Sequence, residues 1–185
     1  MSTIKVAVLV GSLRKASYNR RLARAVASLL PPDFACDYLR LDDLPLYNQD
    51  FDADYPPAAQ RLKREIEAAD ALLFVTPEYN RGVPGVLKNA IDLASRPWGS
   101  NSFAGKPGAV VGASIGAIGS ALAQQHLRNS LVFVDVAVLA QPEVFLQFKD
   151  DGPIDAEGHI QNDGTRQFLQ GFADRYAAWV RRHLA

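Results

Sequence analysis

The chain has little of what would mark several large protein classes. Its single cysteine, Cys36, can form no internal disulfide and no CxxC metal or redox pair, which fits a reducing compartment. Lysine plus arginine number 20, as do aspartate plus glutamate, so there is no global basic field for nucleic acid and no acidic bulk for disorder. The histidines His126, His159 and His183 show no ligand spacing, which argues against a metal site. Long hydrophobic runs are also scarce. Val6–Val10 is too short for the apolar core of a signal peptide, and the longest uncharged stretch, Pro107–Leu127, carries Gly108, Gly112, Gly116, Gly119, Gln124, Gln125 and His126. That stretch reads as a buried strand, a glycine loop and a helix start. The expectation is a cytoplasmic chain with no membrane insertion and no nucleic-acid partner.

What is present suits one domain spanning residues 1–185. The 185 residues are 48% hydrophobic, enough for a proper core at a common domain length. Three short apolar runs, Ile4–Val10, Ala71–Val75 and Ala109–Ala113, each end in a loop signal and lead into a helical pattern, the signature of an α/β chain with buried parallel strands. Phe34–Leu41 and Val132–Ala140 are the further strand candidates. Helices are predicted over Asn19–Leu30, stopped by Pro31-Pro32, and over Ala58–Ala69, Pro84–Ser95, Ser120–Asn129 and Thr165–His183. Five strands and five helices fit a doubly wound, flavodoxin-like parallel sheet of order 2-1-3-4-5, with helices on both faces and a ligand where strand order reverses. Cys36 shares a strand face with Phe34 and Tyr38 and reads as a small buried hydrophobe.

The loops after strands one, three and four should converge at that reversal. The first, GSLRKASYNR over residues 11–20, combines hydroxyls, cations and the start of a helix, which makes an anion cradle. It lacks both GxGxxG and GxxxxGK[ST], so a terminal monophosphate is favoured over pyrophosphate. The second, TPEYNRGVPG over residues 76–85, offers Tyr79 as a flat ring beside free amides, with Asn80 and Gly82 tolerant of unusual backbone angles. The third, GASIGAIGS over residues 112–120, has glycines that let backbone approach a ligand, and the hydroxyl of Ser114. Taken singly, each loop also suits an ordinary cap, turn or helix-to-sheet contact. Taken together, they describe a site for a monophosphate joined to a flat polar heterocycle, which is what FMN is.

GSLRKASYN at 11–19, PEYNRGVPGVLKNAID at 77–92 and SIG at 114–116 resemble the NADPH-dependent FMN reductase family, close to its bacterial quinone and chromate reductases. The resemblance extends over most of residues 4–145. Position 82, serine in many similar proteins, is glycine here. It implies FMN as cofactor and NAD(P)H as co-substrate. Ser12, Arg14, Ser17 and Asn19, with Tyr18 among them, would hold the phosphate. Pro77, Glu78, Tyr79 and Asn80 would line the isoalloxazine edge, with Ser114 and Gly116 on the far loop. No catalytic acid or base is implied, because hydride passes to the flavin itself. A ping-pong exchange with quinones, chromate, azo compounds or free flavin would follow, in a homodimer or homotetramer. One rival is a flavodoxin-type electron carrier, which the neutral charge disfavours. Another is a phosphosugar- or nucleotide-binding protein without redox chemistry.

Charge is unevenly spread. Residues 1–32 hold six cations and no acid, whereas residues 33–57 hold seven aspartates against Arg40. Arg14 and Lys15 are expected at the phosphate and the aspartates on a rim outside the ligand loops.

Overall fold

The computed structural model describes residues 3–149 and 152–185. Strand β1 (Ile4–Val10) leads into helix α1 (Tyr18–Leu29) and edge strand β2 (Phe34–Tyr38). A short 3-10 turn, Gln49–Ala53, precedes α2 (Pro57–Glu67), β3 (Ala71–Val75) and α3 (Gly85–Ala94). Then come β4 (Pro107–Ser114), α4 (Ala121–Phe133), β5 (Ala137–Val138), β6 (Val144–Gln147) and α5 (Asp163–Leu184). The strands form one parallel sheet in the order β2-β1-β3-β4-β5, as the sequence pattern predicts.

Strand alternation divides the core into two layers. Val6, Val8, Val10, Leu73 and Val75 face α1 and α5, while Ala7, Leu9, Leu72 and Phe74 face α2, α3 and α4. Local chemistry sets the helix ends. Ser17 caps α1, whose last residue gives way to an extended Leu30 before Pro31, and Asn162 caps α5 by accepting from the Thr165 N–H. Among the described residues no helix is long and apolar enough to cross a membrane.

The fifth strand expected over Val132–Ala140 is corrected. Val132 and Phe133 complete α4, Asp135 turns the chain at φ 60, and only Ala137–Val138 joins the sheet, beside Pro107–Gly108. Strand β6 then continues along the same edge of β4, paired with Val111–Ser114. The run Leu131–Val134 is apolar without a period, so pattern alone does not separate a helix end from a buried strand.

Register sets the site. Val10 aligns with Val75 and Val75 with Val111, and the hydrogen bonds Gly11 N–H to Val75 (2.9 Å) and Thr76 N–H to Val111 (3.0 Å) continue that alignment. The loops after β1, β3 and β4 therefore leave the sheet at one level.

Two buried groups report on the core. Burial pushes the half-buried Cys36 thiol up to about 11, with Asp37 adding, which leaves it protonated and unreactive at neutral pH. Tyr176, fully buried on α5, donates its hydroxyl to the Leu72 carbonyl at 2.9 Å, and burial holds its pKa well above the ordinary value of 10.0. A raised phenol pKa means that its contribution is complete below pH 10 and lost as pH rises beyond it. Tyr176→Phe should lower stability by about 1 to 2 kcal/mol in urea unfolding at neutral pH and remove part of the alkaline decline; an unchanged midpoint and pH profile would contradict this.

Candidate functional site

Loop 11–17 is seated closely on the fold. A Cβ on Gly11 would come within 3.1 Å of Leu87 on α3. The Ser17 side chain accepts from the Arg20 N–H at 3.2 Å, closing the first turn of α1. Around it, the backbone N–H groups of residues 12–16 and of Tyr18 and Asn19 donate to no protein acceptor among the described residues. Ser12 is 5% exposed, and its hydroxyl likewise has no partner there. Free N–H groups, a solvent-reaching hydroxyl on an otherwise buried serine and the positive end of a helix dipole make an anion site. Arg14 stands at its mouth. Its guanidinium lies 4.4 Å from the centre of the Tyr18 ring, which stacks on Phe148 at 4.5 Å. Tyr18 thus forms the base on which Arg14 rests.

Asn19 has a different place from the one its sequence position suggested. It is buried, and its carboxamide donates to the Ala113 carbonyl and accepts from the Ala113 N–H, each at 2.9 Å. It ties α1 to the end of β4 and so holds loop 11–17 beside loop 112–120.

The chain after β3 closes a two-residue hairpin. Tyr79 and Gly82 exchange backbone hydrogen bonds at 3.1 and 3.0 Å, and the central residues Asn80 and Arg81 have φ of 49 and 64, as a type I′ turn requires. The second left-handed residue is therefore Arg81, not Gly82. A Cβ at Gly82 would meet only the Tyr79 carbonyl, at an ordinary 3.7 Å, so a serine would fit there. Pro77 is buried at the strand exit, and Tyr79 holds its ring 52% exposed above the hairpin. The Glu78 N–H, like those of Asn80 and Arg81, has no protein acceptor among the described residues.

The Glu78 carboxylate performs a task that its position in the motif did not reveal. It accepts from the Leu122 and Ala123 N–H groups at 3.0 and 3.2 Å, capping α4 from another loop, and it lies 3.5 Å from Arg81. Ser120, at φ 74, supplies no side-chain cap of its own. A carboxylate followed 44 residues later by an uncapped helix start leaves no local sequence signal.

In loop 112–120 the glycines divide by role. A Cβ on Gly112 would fall 2.2 Å from both the Ser120 hydroxyl and the Thr76 carbonyl, so this glycine serves internal packing and not ligand approach. Ser114, the last residue of β4, accepts from the N–H of Gly116 in the turn above it at 3.1 Å. Gln124 is fully buried and bonds to Ser120 and Val144. Away from these loops, Asp155, Glu157 and His159 cluster. Asp155 Oδ1 accepts the N–H groups of Glu157, Gly158 and His159, closing its own exposed turn.

Three loops at one sheet edge thus bring together an anion cradle, a flat exposed ring and a row of free amides. These features suit the phosphate and isoalloxazine of FMN, and with the 2-1-3-4-5 sheet they define a flavin mononucleotide protein of flavodoxin-like architecture. More narrowly, the chain belongs to the NADPH-dependent FMN reductase family, whose sequence profile matches residues 4–151. A 2-hydroxy-1,4-benzoquinone reductase of a Burkholderia species is 54% identical over 178 residues, covering 96% of this chain and 97% of that protein. An NAD(P)H-dependent FMN reductase of Pseudomonas aeruginosa is 46% identical over 180 residues, covering 97% and 96%. Among solved structures, the flavoenzyme NAD(P)H:(acceptor) oxidoreductase FerB from Paracoccus denitrificans superposes with a TM-score of 0.93 at 45% identity, covering 98% of this chain and 99% of that one.

The geometry separates residues that build the cradle from those that face its content. Asn19→Ala strands the buried N–H and carbonyl of Ala113 and should cost about 2 to 3 kcal/mol in chemical unfolding. Glu78→Ala should cost about 1 to 2 kcal/mol through the lost cap. Arg14→Ala, at an exposed position, should change stability by less than about 0.5 kcal/mol while weakening FMN binding in a fluorescence titration. Equal destabilisation by all three would contradict the division.

Proposed function

We propose that the chain is an FMN-dependent NAD(P)H:quinone reductase that works by ping-pong transfer of two electrons to small oxidised acceptors. Quinones come first, with chromate, azo compounds and free flavin as further acceptors. The observation that carries this reading is the cluster of unpaired N–H groups at residues 12–16, 18 and 19 around the start of α1, level with the Tyr79 hairpin. The likeness to the Burkholderia 2-hydroxy-1,4-benzoquinone reductase supports the quinone class.

When bound, FMN supplies the hydride and electron chemistry. The protein's residues bind and orient it. The amides of 12–16, 18 and 19, the Ser12 hydroxyl and the Arg14 and Lys15 cations match a phosphate monoester of roughly −1.5 to −2 charge. Ser17 and Asn19 keep those donors aligned, one by capping α1 and the other by pinning it to Ala113. At the ring end, Pro77 and Tyr79 would flank the heterocycle, and the unpaired Glu78 and Asn80 amides would supply donors for negative charge gained on reduction, as in an oxyanion hole. Ser114 and Gly116 close the opposite side. Glu78 holds its loop in place by capping α4.

The site is shallow, and a second copy of the chain supplies its outer wall. Leu122, Val132 and Phe133 on α4 and Ile115 and Ile118 in the loop ahead of it are exposed apolar side chains. A homodimer or homotetramer buries them; a single sedimenting species near 20.2 kDa would count against this. The working compartment is the cytoplasm.

Anaerobic addition of NADPH to the flavin-loaded protein should bleach its colour without a second protein, and benzoquinone should restore it. Initial rates should give parallel double-reciprocal lines. Failure to bleach without a separate reductase would identify a flavodoxin-type carrier, and intersecting lines would exclude ping-pong exchange.

A further inference from the structure

Beside the phosphate loop, on the far side of β1 from the Tyr79 hairpin, lies a cavity of about 650 Å³ between α1 and the chain leaving β2. Because β2 is an edge strand, the segment Leu39–Asp42 has no further strand over it. Arg20 and Arg24, one helical turn apart on α1, form one wall, and Arg40 and Asp42 form the other, with Arg14 and Lys15 at the rim. Leu13 and Tyr38 add apolar surface, 52% and 44% exposed.

Five cations and one acid line the cavity, a local excess of positive charge that favours entry of an anion, even with Arg40 held by Asp42 at 2.9 Å and Asp43 at 3.8 Å. Arg14 and Lys15 are accounted for by the FMN phosphate. The remaining lining, Arg20, Arg24 and Arg40 against Asp42, carries a formal +2, which matches a second phosphate monoester of roughly −1.5 to −2. The Arg20 side chain makes no hydrogen bond or ion pair among the described residues, although its charge adds to the Arg40 hydrogen bond in holding the Asp42 carboxyl below its ordinary range. Arg24 engages one nitrogen with the Ala156 carbonyl at 2.9 Å, which leaves further donors on its guanidinium fork. Arg40 is turned to Asp42 at 2.9 Å. The space is far larger than one phosphate and lies within the ordinary range for a small-molecule site. Leu13 and Tyr38 suit the flat base of a nucleoside.

We propose that this groove receives the 2′-phosphorylated adenosine end of NADPH, with Arg20 and Arg24 on the 2′-phosphate, and that it sets a preference for NADPH over NADH. The inference rests on the reading of the chain as a nicotinamide-oxidising FMN enzyme. A phosphate monoester is also carried by FMN itself, so the test must distinguish the two sources.

The test uses the FMN-loaded protein, with 2′,5′-ADP and 5′-AMP as probes in titration calorimetry. 2′,5′-ADP should bind at least about tenfold more tightly than 5′-AMP, and Arg20→Gln/Arg24→Gln should abolish the difference. Arg20→Gln alone, which breaks no contact within the fold, should remove part of it. In turnover the double variant should raise KM for NADPH about tenfold or more while KM for NADH and kcat stay within about twofold, and Asp42→Asn should lower KM for NADPH. Equal binding of the two probes, or parallel rises in both KM values, would overturn the proposal. A loss of FMN affinity in Arg20→Gln would assign the groove to the flavin phosphate and overturn it as well. If the loaded wild-type protein oxidises both nicotinamides yet ignores the 2′-phosphate, only this inference fails; if it oxidises neither, the enzymatic reading fails with it.

Discussion

The two hydrogen bonds between the Asn19 carboxamide and the backbone of Ala113 fasten the first turn of α1 to the end of β4. They bridge strands that are not neighbours, since β3 lies between β1 and β4. Without that bracket, the free amides of residues 12–16, 18 and 19 would have no fixed relation to the loop above β4, and a ligand touching both would have to supply the alignment itself. Glu78 does the same for the other pair of loops by capping α4. Preorganised donors are worth more than donors that must be ordered on binding, so these buried contacts, which need not touch the flavin, set the cost of holding it.

Much of this was legible in the residues. Ile4–Val10 and Ala71–Val75 coincide with β1 and β3 because fully buried parallel strands are continuous apolar runs bounded by turn residues. The amphipathic segment before Pro31-Pro32 placed α1 at Asn19–Leu30, within one residue of the observed Tyr18–Leu29. What escaped the sequence depends on distant partners. Leu131–Val134 reads equally as strand or helix until α4 continues through it, and the short β5 and β6 are defined only by the edge of β4 they share. Asn19 looks like a ligand donor in a loop, and only the 94-residue reach to Ala113 makes it a clasp. Gly112 looks like a ligand-approach glycine, yet Thr76 and Ser120 occupy the space.

The uneven charge also acquires structure. Asp33 pairs with Arg181 on α5, and Asp43 with Arg61 on α2, so the acidic segment is partly neutralised by the helices around it. The basic segment is less so: Lys15 and Arg20 have no ion-pair partner among the described residues, and both line the cavity beside the phosphate loop. Zero net charge therefore conceals a local positive field at the cofactor end of the sheet.

The central claim is that loop 11–19 is built for a phosphate monoester and that this phosphate anchors the flavin. Equilibrium binding of FMN and of riboflavin to the flavin-free protein, followed by fluorescence quenching, tests it most directly. FMN should bind at least about 100-fold more tightly than riboflavin, with the advantage shrinking in high salt and in Arg14→Ala. Equal affinity for the two flavins would contradict the account.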